Sequence, residues 1–165
     1  MSVIIDLLID SQDCFIPEKK AFKTWVNAAA NLSYDTELCI RIVDEKESAT
    51  LNYHWRKKTG ATNVLSFPAL LPEGMPQVTL GDIVICAPVV EAEAKMQLKQ
   101  LTAHWAHMVI HGTLHLLGYD HINEDDALEM ETAETQIMCA LGFDDPYKNN
   151  LASNNSTKIN TTHIL

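Results

Sequence analysis

The sequence has no long apolar run. Its one N-terminal candidate, Val3 to Ile9, is interrupted by Asp6, is too short to span a bilayer and follows no basic segment. That argues against a transmembrane anchor or a secretory leader. Cysteine is scarce: Cys14, Cys39, Cys86 and Cys139 are never two residues apart, and each sits among apolar neighbours. They read as buried free thiols in a reducing compartment, so the expected location is cytoplasmic. Positive charge is also short. Twelve Lys and Arg face 22 Asp and Glu, a formal net charge of -10, which excludes a nucleic-acid binder that works by overall charge. The last shortage is one side chain. His111, His115, Gly118 and His121 have the spacing of a zinc-protease site, but Gly112 stands where such a protease carries its catalytic Glu.

What is present suits one domain. The chain has 165 residues, of which 47% are hydrophobic, enough for a core that needs no metal or disulfide to fold. The charge is polarised. Ten of the 12 basic residues precede residue 100, whereas residues 122–147 hold eight acids and no Lys or Arg. One part of the surface can therefore be locally positive.

Periodicity predicts the order β α β α β β α α α. Val3 to Ile9 reads as a strand. Pro17 suits the first turn of a helix reaching about Leu32, with Phe22, Trp25, Val26, Ala29 and Ala30 on one face. From Thr36 the chain alternates, with Leu38, Ile40 and Ile42 on one side of a strand. Asp44 and Glu47 have capping-box spacing for a helix that should stop by Gly60. Strands follow over 62–68 and 78–86, with Gly81 a candidate bulge. Pro88 opens a helix to about Gln97, and further helices cover about 101–117 and 123–141. The expected fold is α+β: a four-stranded mixed sheet packed with about five helices, in one domain over residues 1–147. The Asn/Ser/Thr-rich residues 148–165 read as a disordered tail.

Four residues of helix turn about 400°, so His111 and His115 leave one face and can reach one ion. Gly118 lets the chain reverse, and His121 can supply a third ligand. Three imidazoles leave a tetrahedral zinc one open position, the catalytic arrangement, where water has its pKa lowered towards about 7. Imidazole suits nickel and iron as well as zinc. His104 and His107 share the helix face and read as core-edge or solvent-facing residues; the rival reading puts His107 on the approach to the metal. Asp120 reads as an acceptor that orients a ligand imidazole, or less readily as a base.

Without Glu at position 112, peptide hydrolysis is disfavoured. A phosphodiester needs its growing negative charge stabilised by a metal and a guanidinium, and in RNA the 2′-hydroxyl can be the nucleophile. Arg56, beside Lys57 and Lys58 in the densest basic cluster, is the candidate guanidinium. The bland reading of that cluster is a favourable set of cations at a helix C-terminus.

HGTLHLLGYDH (111–121), LNYHWR (51–56), TNVLSFP (62–68) and GDIVI (81–85) together resemble the bacterial YbeY proteins, and the likeness runs from about residue 3 to Tyr147. The resemblance implies a single-strand-specific, metal-dependent endoribonuclease of 16S ribosomal RNA 3′-end maturation and ribosome quality control. It implies an α+β fold with a four-stranded sheet, zinc on His111, His115 and His121, and functional roles for Arg56 and His111. Ser66 matches a position near the site. The implied partners are single-stranded rRNA, the small ribosomal subunit and a ribosome-assembly GTPase, with no membrane. Two rivals remain: a hydrolase of another class, such as a peptidase, and a non-catalytic ribosome assembly factor that keeps its metal for structure.

Overall fold

In the computed structural model, residues 2–76 and 78–148 and the backbone of 162–163 are described. The elements follow in the expected order: β1 (Val3–Asp10), α1 (Lys19–Ala29), β2 (Thr36–Val43), α2 (Glu45–Arg56), β3 (Val64–Pro68), β4 (Thr79–Cys86), α3 (Ala87–Met96), α4 (Leu101–Leu116) and α5 (Glu124–Ala140). The main sheet runs β1-β2-β4-β3. β1, β2 and β4 are parallel, and β3 is antiparallel to β4. Among the described residues, the main sheet is therefore four-stranded and mixed, with five helices. Most of the tail expected to be disordered lies outside the described residues. Within it, a two-residue strand β5 (Thr162–His163) pairs with Leu65 and Ser66 on the outer edge of β3.

The period-two pattern of β2 works as its sequence suggests: Leu38, Ile40 and Ile42 are buried in the larger core with Ile83, Ile85 and Val64. The other face buries Val43, Leu65, Val84 and Cys86, with Leu51 of α2 packed against them. The sheet thus has helices on both faces, α2 on one and α1 and α4 on the other.

The helix ends add detail to the sequence reading, and one start differs from it. α1 begins at Lys19 with Glu18 as N-cap, so Pro17 is buried just ahead of the helix rather than in its first turn. Asp44 is the N-cap residue of α2 but makes no side-chain cap bond. Its carboxylate instead accepts from the Ser11 hydroxyl and the Gln12 backbone N–H, tying down the chain after β1. α2 ends before Gly60: Lys57 takes the left-handed conformation at φ 57°, and its N–H bonds back to the Tyr53 carbonyl at 3.0 Å.

Gly81 is the expected bulge. The β2–β4 register shifts at Glu37/Leu38, opposite it. Its φ is 129°, and an added Cβ would lie 2.2 Å from the Phe67 carbonyl oxygen, so only glycine fits.

α4 is the central helix. Residues 104–116 are all buried, because β3 and β4, α1, α3 and α5 enclose it. No helix among the described residues is long and apolar enough to cross a membrane.

Candidate metal centre

Four histidines fall at spacings of three, four and four along α4, and all are buried: His104, His107, His111 and His115 are at most 4% exposed. A buried imidazole needs partners for its polar atoms. His115 Nδ1 lies 3.0 Å from the Tyr119 carbonyl oxygen. A carbonyl only accepts, so Nδ1 carries the proton and Nε2 keeps its lone pair. His111 Nδ1 lies 3.0 Å from Glu134 Oε1. Glu134 is buried in α5. Burial alone would raise its pKa, but His111 and His107 outweigh that and hold the carboxyl well below the usual carboxylate range. It is an acceptor, so His111 also donates through Nδ1.

With both rings neutral, these bonds leave a lone pair on each Nε2, and the two Nε2 atoms lie 3.0 Å apart. Two lone pairs at this distance repel unless a cation or proton lies between them. His121, half-buried on the segment after Gly118, completes the group; the nearest nitrogens of the three lie within 4.8 Å of one another. Zinc–imidazole bonds of about 2.0–2.1 Å put tetrahedral ligand nitrogens about 3.3 Å apart. The three side chains fit a metal ion with small adjustments. Gly118, at φ 102°, makes the turn that returns His121 towards the helix.

Glu134 accepts from two more donors. His107 Nε2 bonds to Oε2, and the Tyr147 hydroxyl donates to the same oxygen at 2.6 Å. Burial and the Glu134 charge push the Tyr147 pKa up, which keeps the phenol protonated as a donor. Further along, His104 Nε2 bonds to Glu93 Oε1 at 3.0 Å, and Glu93 accepts from the Asn63 amide at 3.1 Å. His104 and His107 are thus neither solvent-facing nor ordinary core-edge residues. Each is buried against a carboxylate, and His107 forms with His111 and Glu134 a second group whose ligand atoms lie within 4.8 Å of one another.

Sequence reasoning missed Glu134 and Tyr147. The signal for Glu134 was its place on a stripe: Met130, Glu134 and Met138 are the buried residues of α5, four apart. A carboxylate inside an apolar stripe of helical period calls for a partner. Tyr147 lies beyond the last helix and had no such signal. Asp120 differs from expectation. It accepts from the His121 backbone N–H at 2.8 Å, and the carboxylate bonded to a candidate ligand ring is Glu134.

Gly112 faces the sheet. An added Cβ would lie 3.1 Å from Ile83 Cγ2 and 3.3 Å from Ser66 Oγ. The Ser66 hydroxyl donates to the Gly112 carbonyl at 3.2 Å, so its contact is with the helix backbone beside His111. A longer side chain at 112 would enter the sheet–helix interface.

Arg56 ends α2, on the other face of the sheet from α4. Burial pushes its guanidinium below the ordinary value. The two regions meet through consecutive residues of β3: Phe67 contacts Trp55, with ring centroids 5.8 Å apart, while Ser66 touches Gly112.

Residues 10–142 match the family described as endoribonuclease YbeY. The chain belongs to the YbeY family. A solved structure agrees at the level of fold: the solution structure of TM1509 from Thermotoga maritima has a TM-score of 0.54 at 22% identity, covering 94% of this chain and 100% of that one. YbeY membership carries endoribonuclease activity in ribosomal RNA maturation. The matched span holds His111, His115, His121, Glu134 and Arg56, whereas Tyr147 lies just beyond it.

Proposed function

We propose that this YbeY protein is a single-strand-specific, metal-dependent endoribonuclease acting in 16S ribosomal RNA 3′-end maturation and ribosome quality control. The observation that carries the metal-dependent part is the convergence of His111, His115 and His121, with the Nε2 atoms of the first two 3.0 Å apart and their Nδ1 atoms committed elsewhere. His111, His115 and His121 are the proposed ligands, and zinc is the proposed ion because three neutral imidazoles with an open fourth position suit it. Bound there, it would act as a Lewis acid on a phosphoryl oxygen.

Glu134 and the Tyr119 carbonyl hold two of the rings in the required tautomer. Arg56 is proposed to contact phosphate and offset the charge that grows on it. No side chain at 112 removes a proton, and the 2′-hydroxyl of the substrate is the proposed nucleophile. The small ribosomal subunit and a ribosome-assembly GTPase are the proposed partners, and the cytoplasm the proposed location. The tail from 148 is proposed to lie outside the catalytic domain of residues 1–147.

Cleavage of a single-stranded ribosomal RNA fragment by the folded protein tests this reading. Arg56→Ala should lower the rate by about 30-fold, the worth of a charged hydrogen bond of about 2 kcal/mol, with little change in melting temperature. His115→Ala, checked for folding by circular dichroism, should be inactive. Cleavage undiminished in both variants would contradict the proposal and favour the assembly-factor reading.

A further inference from the structure

The chain has three tryptophans. Trp25 and Trp105 are 4% and 0% exposed and belong to the core, but Trp55 is 48% exposed. Its indole is nevertheless held in place. Phe67 meets it edge-on at 5.8 Å between centroids, and His54 at 4.9 Å, with interplanar angles of 76° and 82°. A large ring contacted on two sides and open on the rest has less rotamer freedom to lose when a partner arrives. Tyr53, beside it, is 64% exposed.

Cations follow directly. Arg56 ends the helix, and Lys57 caps it in the left-handed conformation, with its ammonium bonded to the His54 carbonyl at 3.0 Å and 6.0 Å from the Tyr53 ring centroid. Lys58 comes next. The acids of α2, Glu45 and Glu47, are in its first turn. Glu47 and Arg56 are nine residues apart, roughly 14 Å along a helix, beyond the screening length of about 8 Å at physiological ionic strength. The helix end therefore gathers three cations away from the acids of its own helix, while Asp82, paired with Phe67 across β3 and β4, is an acid on the same sheet face.

Rings and cations together select the occupant. An apolar protein surface would use the indole but not the three cations. A duplex would meet the cations but hides its base faces. A single strand of RNA offers both a base to stack and phosphates to neutralise. We infer that Trp55, backed by Phe67 and His54, is a base-stacking platform that holds single-stranded RNA beside Arg56, with Lys57 and Lys58 on its phosphates. The inference rests on the endoribonuclease reading above and adds where the strand lies. Phe67 braces the platform while its neighbour Ser66 touches the helix that carries the histidines, so one strand of the sheet links the two.

Tryptophan fluorescence tests it apart from catalysis. Single-stranded 2′-O-methyl RNA, confirmed intact on a gel, should quench Trp55 in the wild-type protein, since the other two indoles are buried. Trp55→Leu should bind about tenfold more weakly and lose the quenching, whereas Trp55→Tyr should keep most of the affinity. Acrylamide quenching of wild-type protein, reduced when RNA is bound, needs no variant to fold. Cleaving protein without quenching, or Trp55→Leu binding as tightly as wild type, would overturn the platform and leave the nuclease reading standing. Equal quenching by duplex would also overturn it. Quenching without any cleavage would uphold the platform and remove the nuclease.

Discussion

At the scale of single residues, two positions decide the chemistry. Glu134 bonds to His111 Nδ1, His111 and His107 keep Glu134 ionised, and the Tyr147 hydroxyl donates to it. Glu134→Gln should weaken zinc binding by about 10–100-fold in a chelator competition, the usual worth of a carboxylate behind a ligand histidine. Unchanged affinity in a folded variant would show that the ring needs no such support. Gly112 is the second position. Its hydrogen occupies the only room left against Ile83 and Ser66, so Gly112→Glu should not yield a peptidase. It should cost about 3 kcal/mol in a urea titration, through overpacking and a buried charge. Cysteine chemistry follows burial in the same way. Burial pushes the Cys86 thiol up to about 11, whereas Cys139 is exposed. A thiol reagent at neutral pH should therefore modify Cys139 in the native protein and reach Cys86 only on unfolding.

At the scale of elements, the ends carry the specificity. Asn123 caps α5 by accepting from the Asp126 N–H at 2.8 Å, and Asn123→Ala should cost about 1 kcal/mol of stability, measured by thermal unfolding. Gly81→Ala should cost more than that cap, because a Cβ there meets the Phe67 carbonyl and the backbone is left-handed. Strand and helix identity were legible in the sequence because period and composition are local: β2 alternates, and α1 carries Phe22, Trp25 and Val26 on one face. The caps were less legible. Asp44 satisfies capping-box spacing, yet its carboxylate is drawn to Ser11 and Gln12, which are distant in sequence. Lys57 takes the left-handed turn that ends α2, and Gly60 follows at φ 95°.

At the scale of the whole molecule, the sheet divides two jobs. One face carries α4 with its buried histidines, and the other carries α2 with its basic end. The histidine spacing and the breaking glycine made the proposed ligands visible in the sequence, and the four sequence blocks made the family visible. The support behind the ligands was not visible, because Glu134 and Tyr147 come from other parts of the chain and converge only when α5 packs on α4. The position of the arginine relative to the histidines was equally hidden, since it depends on which face of the sheet each helix takes. The acids of α5 begin at its first turn, while the cations gather at the end of α2.

The most direct test strips the protein with a chelator and titrates zinc back while following cleavage of single-stranded ribosomal RNA. The account predicts no cleavage by the stripped protein, full recovery at one equivalent of zinc per chain, and no recovery in folded His115→Ala. Cleavage by the stripped protein, or recovery in that variant, would contradict it.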